Sequence, residues 1–384
     1  MVLVLILTVI VFVLLITEAR STRRSVDRIP LRILVTGTRG KSSTTGYIAA
    51  ALRATGKQVL GKVTGEIPAL IRADGTKTVI RRRGAPRIQE QFRLTRQAAR
   101  SGADALVLEC MSIDPVLQET VSRVYRPHLV VLTNIRDDHR EKTGATRQEQ
   151  VAAMCRTIPR GRVLVTGDRE NLGLIREEAA KKSCRLVVAG TLNEKGTEDE
   201  GPGMPPGVFL ENIELAAETA AQTGMKREEA LAAIMDWVAG KGEKAPGEPR
   251  EVGRIPFLNA FAVNDPGSAT LYMDRWMGKP GAGDKLVLVF NTRSDRPTRT
   301  DLFTEWIRER KGQLAGIWIT GDHRARAYAR LRDLKPGVEV RRISPGRISG
   351  LAARLYRGYG EGLVVTGIGN IKGAGYRVIR EFEK

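Results

Sequence analysis

The 384 residues, 42% hydrophobic and 28% charged, can fill two ordinary domain cores and exclude a disordered or fibrous chain. Three cysteines, Cys110, Cys155 and Cys184, show no C-x-x-C spacing, which excludes a disulfide framework or four-cysteine zinc site and points to a reducing compartment. A net charge of +20, from 63 Lys and Arg against 43 Asp and Glu, implies an acidic substrate or an anionic membrane surface; 5% aromatics without aromatic-studded basic motifs argue for no nucleic-acid partner.

In chain order, the first element is MVLVLILTVIVFVLLIT at 1–17, free of charged side chains. At about 1.5 Å per residue it reaches roughly 25 Å, close to the thickness of a hydrocarbon core. No basic segment precedes it and no small-x-small site follows, so it reads as one transmembrane helix and not as a cleaved signal. Arg20, Arg23 and Arg24 come next and put the remainder on the cytoplasmic side of the cell membrane. Residues 18–30 read as a charged linker ending at Pro30.

LRILVTG at 31–37 predicts a buried strand, and Lys41 to Thr55 the helix after it. ADALVLEC (103–110), HLVVLTN (128–134) and GRVLVTG (161–167) predict further strands, with helices at 89–100 and 145–155 between them. Alternation of this kind predicts an α/β domain with a parallel, doubly wound sheet over 31–240. The Gly- and Pro-rich stretch 193–207 is a loop within it, and 240–250 a linker after it. Beyond the linker, FLNAFAVND, DKLVLVFN, GIWITGD and GLVVTGIGN predict a second, smaller Rossmann-like α/β unit at 251–384.

The strongest chemical signal is VTGTRGKSS at 35–43, between strand and helix. Glycines there let backbone N–H groups approach phosphate oxygens, and the helix N-terminus adds partial positive charge. Lys41 would reach the β- and γ-phosphates and the Ser42 hydroxyl would ligate Mg2+. Glu109 ends one later strand; Asn134 ends another, followed by Asp137, Asp138 and His139. Mg-ATP chemistry needs hard oxygen ligands with positions open for phosphate, so Ser42, Glu109 and His139 form the candidate metal set.

These parts in this order, T-G-T-x-G-K-S, a strand-end Glu and N-x-x-x-D-H, resemble the Mur ligases and folylpolyglutamate synthetases. ECMSIDP (109–115), LTNIRDDH (132–139), NAFAVNDPGS (259–268), NTRSDRPTR (291–299), GIGNIKG (367–373) and KVTGE (62–66) narrow the resemblance. The chain is similar to the ligase subunit of poly-γ-glutamate synthase, of the CapB/PgsB type, over nearly its whole length. The resemblance implies a Mur-ligase-like central P-loop ATPase domain, a smaller C-terminal domain, and ATP with Mg2+ as cofactors. It implies that ATP phosphorylates a glutamyl carboxylate and that an incoming glutamate amine displaces phosphate, lengthening a γ-linked chain. Gly37, Thr38, Arg39, Gly40, Lys41, Ser42 and Ser43 would cradle the phosphates, beside Asn134. Arg293 and Arg296 would offset charge on the phosphate or acyl group, with Asp295 orienting one of them. Asn212 falls where Mur ligases contact adenine.

Two family features have no counterpart. Phe261 stands where Mur ligases carry a ribose-binding Asp, leaving Asn264 and Asp265 as nearby polar groups, and no motif marks a carbamylated lysine. Only about 30 residues precede the phosphate loop, too few for a UDP-binding domain. The rival readings are a folylpolyglutamate-synthetase-like ligase and a P-loop ATPase driving polymer export without bond formation. Implied partners are glutamate and the growing poly-γ-glutamate, a CapC/PgsC-type multipass membrane subunit, and a CapA/PgsA-type subunit as a further candidate; the resemblance leaves room for a homo-oligomer. Finally, Arg72, Lys77, Arg81, Arg82, Arg83, Arg87, Arg93, Arg96 and Arg100 against Asp74 and Glu90 form a basic segment that would guide a polyanion or face solvent and lipid headgroups.

Overall fold

A computed structural model describes residues 1–65, 68–82, 87–136, 140–190, 209–240, 250–252, 255–261, 266–277, 285–334 and 337–382. They fall into two compact units, one up to residue 240 and one from 250 on.

The first unit begins with α1 (Val2–Asp27), a single helix whose apolar residues from Met1 to Leu15 are exposed. It is long and apolar enough to cross a membrane. Residues 18–27, which composition assigns to the linker, continue the helix. Thr22 and Val26 are buried, Glu18 pairs with Arg96 at 3.2 Å and Asp27 with Arg126 at 2.9 Å. Packing against the body therefore keeps the charged end helical. Buried Arg32 fixes the junction by donating to the carbonyls of Val26, Ile29, Tyr125 and Arg126 at 2.5–3.2 Å.

The sheet is built from β1 (Leu31–Thr36), β2 (Val59–Val63), β3 (Ala69–Ile71), β4 (Lys77–Val79), β5 (Ala105–Glu109), β6 (Leu129–Leu132), β7 (Val163–Thr166) and β8 (Arg185–Val188). Its order is β4-β3-β2-β5-β1-β6-β7-β8, parallel except for the antiparallel edge β2-β3-β4. Central strands such as LRILVT are apolar almost throughout because helices cover both faces. The crossovers are α2 (Lys41–Ala54), α3 (Gln89–Arg100), α4 (Pro115–Tyr125), α5 (Arg140–Thr143), α6 (Arg147–Met154) and α7 (Leu172–Lys181); α8 (Leu210–Ala221) and α9 (Arg227–Gly240) pack on α2. Asp114 starts α4 by accepting from the N–H groups of Val116 and Leu117, and Thr146 with Glu149 forms a capping box on α6. β1 lies between β5 and β6, so its carboxyl end opens into the crevice where strand order reverses.

The second unit holds a sheet of β9 (Arg250–Val252), β10 (Ile255–Asn259), β11 (Lys285–Thr292), β12 (Leu314–Gly321), β13 (Glu339–Arg342) and β14 (Leu363–Gly369). The order is β13-β12-β11-β14-β10-β9, parallel except for β9. Along β11, Leu286, Leu288 and Phe290 join one core with α10 (Pro266–Met277), α11 (Pro297–Glu309) and α12 (Arg324–Leu331); Val287 and Val289 join the other with α13 (Leu351–Tyr359) and α14 (Ala374–Glu381). Each fully buried side chain of this size contributes about 1.5–3 kcal/mol over leaving it exposed. The sheet and both helical layers accord with the expected two-part α/β reading. The short strands β2, β3, β4, β8, β9 and β13 were not legible as such. The loop at 193–207 and most of the linker at 240–250 lie outside the described residues.

Candidate active site

β1 ends at Thr36 and the chain turns through Gly37, Thr38, Arg39 and Gly40 into α2. Gly37 has φ 122°, and a Cβ there would lie 2.2 Å from Thr133 Oγ1. Gly40 has φ 76°, and a Cβ would lie 2.1 Å from Asn212 Oδ1. Both glycines are thus fixed by conformation and by close approach. No side chain caps the N-terminus of α2, where backbone N–H groups and the helix dipole favour an anion. Ser42 and Ser43 sit in its first turn.

Asn134, just beyond β6, clamps this loop. Its carbonyl accepts from Thr38 N at 2.8 Å and its Oδ1 from Arg39 N at 3.0 Å. Arg136 N donates to Thr38 Oγ1 at 3.1 Å. Lys41 folds back so that Nζ donates to the carbonyls of Gly37 at 2.7 Å and Thr38 at 3.0 Å. Asn212 is buried on α8, its Oδ1 accepting from Thr44 Oγ1 at 3.3 Å, directly beneath Gly40.

Glu109, the last residue of β5, is 3% exposed. Its Oε2 accepts from Ser42 Oγ at 2.7 Å and from the backbone N–H of Thr64 at 2.6 Å. The strand β2 thereby brings the KVTGE segment to the same carboxylate; Glu66 lies outside the described residues. Ser42 and Glu109 are adjacent hard oxygen donors, which fit a divalent cation with sites left for phosphate. His139, the third of the expected metal set, lies outside the described residues with Asp137 and Asp138. Among the described residues no three His, Cys, Asp or Glu side chains converge.

Beside Glu109, fully buried Lys62 pairs with Glu90 at 2.7 Å, and Arg82 grips the same carboxylate at 2.7 and 2.8 Å. Burial alone would raise Glu90, but the bonds from Arg82 and Lys62 hold it down to about 2. Burial lowers Lys62, and Glu90 opposes that shift. Part of the basic segment is therefore bound internally, since Arg96 and Lys77 also have partners, Glu18 and the Trp237 ring. Arg83 lies outside the described residues.

Sequence reasoning missed the residues that hold Asn134 in place. Buried Asp168 accepts from Ile135 N at 2.7 Å, and Asn171 Nδ2 donates to Ile135 O at 3.1 Å. The run T-G-D-R-E-N, which starts at the last residue of β7, carried the signal, an Asp three residues before an Asn at a strand end.

In the second unit, Arg293, Asp295 and Arg296 lie on the loop after the carboxyl end of β11. Arg293 Nη2 donates to Asp295 Oδ2 at 2.5 Å, and Arg296 opens α11. The NTRSDRPTR and GIGNIKG motifs meet here: Asn291 Nδ2 donates to the carbonyls of Asn370 and Lys372, and Arg299 Nη1 to Asn370 Oδ1 at 3.1 Å. Phe261 is fully buried against Gly367, consistent with a core role at that position. Asn264 and Asp265 lie outside the described residues.

A family model of the Mur ligase middle domain matches residues 35–202, and one of the poly-gamma-glutamate synthase CapB C-terminal domain matches 247–384. The capsule biosynthesis protein CapB of Bacillus anthracis is 27% identical over 314 residues, 77% of this chain and 63% of that protein. PGA synthase CapB of Bacillus subtilis (strain 168) is 27% identical over 330 residues, 80% of this chain and 78% of that protein. The chain thus spans less than two thirds of the Bacillus anthracis relative it matches. Among solved structures, E. coli FolC with ADP superposes with TM-score 0.67 at 15% identity, covering 96% of this chain and 93% of that one. MurF from Acinetobacter baumannii gives 0.68 at 14%, covering 96% and 79%. At such identities the likeness establishes the fold.

Proposed function

We propose, for a chain that belongs to the Mur ligase superfamily and ends in a CapB-type domain, that it is an ATP-dependent ligase forming γ-glutamyl amide bonds in poly-γ-glutamate. The observation that carries the reading is the 2.7 Å bond from Ser42, in the first turn after the phosphate loop, to buried Glu109 at the neighbouring strand end. A transport ATPase shares the loop, but the CapB-type domain favours ligation.

In this reading the loop and the α2 N-terminus bind the triphosphate, and Lys41 leaves its loop carbonyls to face the β- and γ-phosphates. Ser42 and Glu109, with His139, would hold Mg2+, which offsets charge on the phosphates when bound. A glutamyl γ-carboxylate oxygen takes the γ-phosphoryl group, releasing ADP. The amine of the incoming glutamate then attacks the acyl carbon; phosphate leaves and the amine proton is lost. Arg293, held by Asp295, and Arg296 are the cations assigned to the acyl phosphate. Asn134 holds the loop, and Asn212 is assigned to the adenine side.

Arg20, Arg23 and Arg24 after the apolar part of α1 support a membrane-anchored enzyme with its catalytic part in the cytoplasm. A CapC/PgsC-type membrane subunit would then lie beside the anchor. Detergent-solubilised full chain with that subunit, ATP, Mg2+ and glutamate should release ADP in step with γ-linked product. ADP release indifferent to glutamate would leave the transport reading in its place; product formed only on a pterin substrate would favour the folate-type ligase.

A further inference from the structure

The charged end of α1 is docked on the first unit, and the docking fixes the direction in which the apolar end leaves it. Arg32, at the amino end of β1, holds the carbonyls of Val26 and Ile29 together with those of Tyr125 and Arg126, where α4 ends. Only Arg28, Ile29 and Pro30 link α1 to β1, so the chain reverses there and α1 runs back along the sheet. It packs beside α3 and α4, and Glu18 reaches Arg96 in the middle of α3. Asp27 and Glu18 are nine residues apart, about 13.5 Å of helix. Leu31 to Val35 of β1 covers about 13 Å of strand. Glu18 therefore stands level with the carboxyl ends of β1 and β5, and the exposed apolar residues before it project beyond that edge.

The same edge carries the Ser42–Glu109 pair and most of the apolar surface of the unit's body. Outside α1, the exposed large apolar side chains among the described residues of the first unit are Val79 (56%), Val116 (63%), Leu117 (44%) and Met235. Val116 and Leu117 lie in the first turn of α4, just after the carboxyl end of β5. Val79 lies in register, through Ala69, with Val63 at the carboxyl end of β2. The N-terminus of α3 covers this edge too, since Glu90 pairs with Lys62 at 2.7 Å and Gln91 Nε2 donates to the carbonyl of Glu109 at 2.9 Å. Around that N-terminus stand Arg81, Arg87 and Arg93. All three are exposed and, among the described residues, their side chains have no ion-pair or hydrogen-bond partner. Unpaired arginines next to bare apolar side chains, level with the exit of an apolar helix, match the headgroup region of an anionic bilayer. A soluble polyanion would engage the arginines but leave Val79, Val116 and Leu117 in water.

We propose that the carboxyl edge of the first unit rests on anionic lipid, so that the phosphate loop and the Ser42–Glu109 pair open toward the membrane surface. The proposal rests on α1 spanning the membrane and is independent of the ligase reading. Where both hold, the amide bond forms at the bilayer surface. The patch orients a body that α1 already holds. Three arginines and three apolar side chains bind lipid weakly by themselves, and salt screens the arginines.

The test places the full chain, in a Cys184→Ser background, in nanodiscs of phosphatidylcholine with or without phosphatidylglycerol. A fluorescent label is attached at Leu117→Cys, at Ser101→Cys beyond the opposite end of α3, or at Ile10→Cys within the apolar run. Quenching by nitroxide lipids then reports contact with the bilayer. With phosphatidylglycerol present, the label at 117 should be quenched several-fold more than the label at 101. Added salt, or Arg81→Gln with Arg87→Gln and Arg93→Gln, should reduce the difference. Equal quenching at 117 and 101, whether strong or absent, overturns the proposal. If Ile10→Cys is quenched deep in the acyl region and Leu117→Cys is not, the edge contact falls and the anchor stands. If Ile10→Cys is not quenched, the span falls and the orientation with it. Shielding at 117 that appears only when a multipass membrane subunit is added assigns the patch to a protein and overturns the lipid contact.

Discussion

The turn through Gly37 and Gly40, both at positive φ, folds the loop so that its Gly37 carbonyl comes within 2.7 Å of the ammonium of Lys41, the first residue of α2. Lys41→Ala should reduce glutamate-dependent ADP formation at least about a hundredfold with the fold intact, because the charge opposes what develops on the transferred phosphoryl group. Near-parental turnover by the purified variant would refute that role. Glu109→Gln keeps the shape of the carboxylate but not its charge. It should raise the Mg2+ needed for half-maximal activity about tenfold, and an unshifted Mg2+ titration would remove Glu109 from the metal set. His128 gives a pH prediction. Its ring faces the backbone and guanidinium N–H groups of Arg32 at 3.1 and 3.2 Å, and burial, aided by Arg32, Arg162 and Arg126, lowers it to about 4. The unfolded chain takes up this proton near 6.5, the folded chain only near 4. Stability from the neutral ring is therefore full above the unfolded value and lost as pH falls through the folded one. After discounting for its partial exposure the loss is about 2 kcal/mol. Denaturant melts of His128→Gln should be flatter from neutral pH down to about 4; melts that track the parent's would exclude the site.

Between residue and molecule, the element that decides the site is the short run after β6. Its Asn134 contacts are made by a segment that is itself held by Asp168 and Asn171 from the next strand end. Asp168→Ala would leave the buried Ile135 N–H without its acceptor, which costs about 1–3 kcal/mol. Thermal unfolding should report that loss, and ADP affinity should fall with it because the phosphate loop loses its clamp. Lower stability with unchanged ADP affinity would show that the clamp does not transmit. The long helices and central strands were legible because burial imposes their periodicity on the sequence. The edge strands β3 and β4 were not, since Lys77–Val79 is exposed and its polar side chains carry no alternation. The clamp escaped notice because an Asx contact between neighbouring strand ends leaves no repeat in either segment.

At the scale of the molecule, α1 joins two environments. Residues up to Leu15 are exposed and apolar, whereas Thr22 and Val26 pack on the first unit. Deleting 1–17 should release a soluble protein with unchanged ATP affinity. Deleting 1–27 should cost a further 1–3 kcal/mol or so, from the lost burial and the carbonyl that Val26 offers Arg32. Equal melting of the two truncations would mean that residues 18–27 add nothing to the body. If the shorter deletion stayed with membranes, another surface would have to hold it there.

The sequence by itself determined the glycine-rich loop before α2, the two α/β units and the apolar start, because each follows from neighbouring residues: glycines before a helix, apolar runs at strand period, a charge-free stretch. Only the tertiary structure decided which residues meet. Ser42 and Glu109 are 67 positions apart and Arg39 and Asn134 are 95 apart, and they touch because β5 and β6 flank β1. Periodicity records burial, which is local to an element. Strand order is set by crossovers that pack whole helices, and no short pattern encodes it.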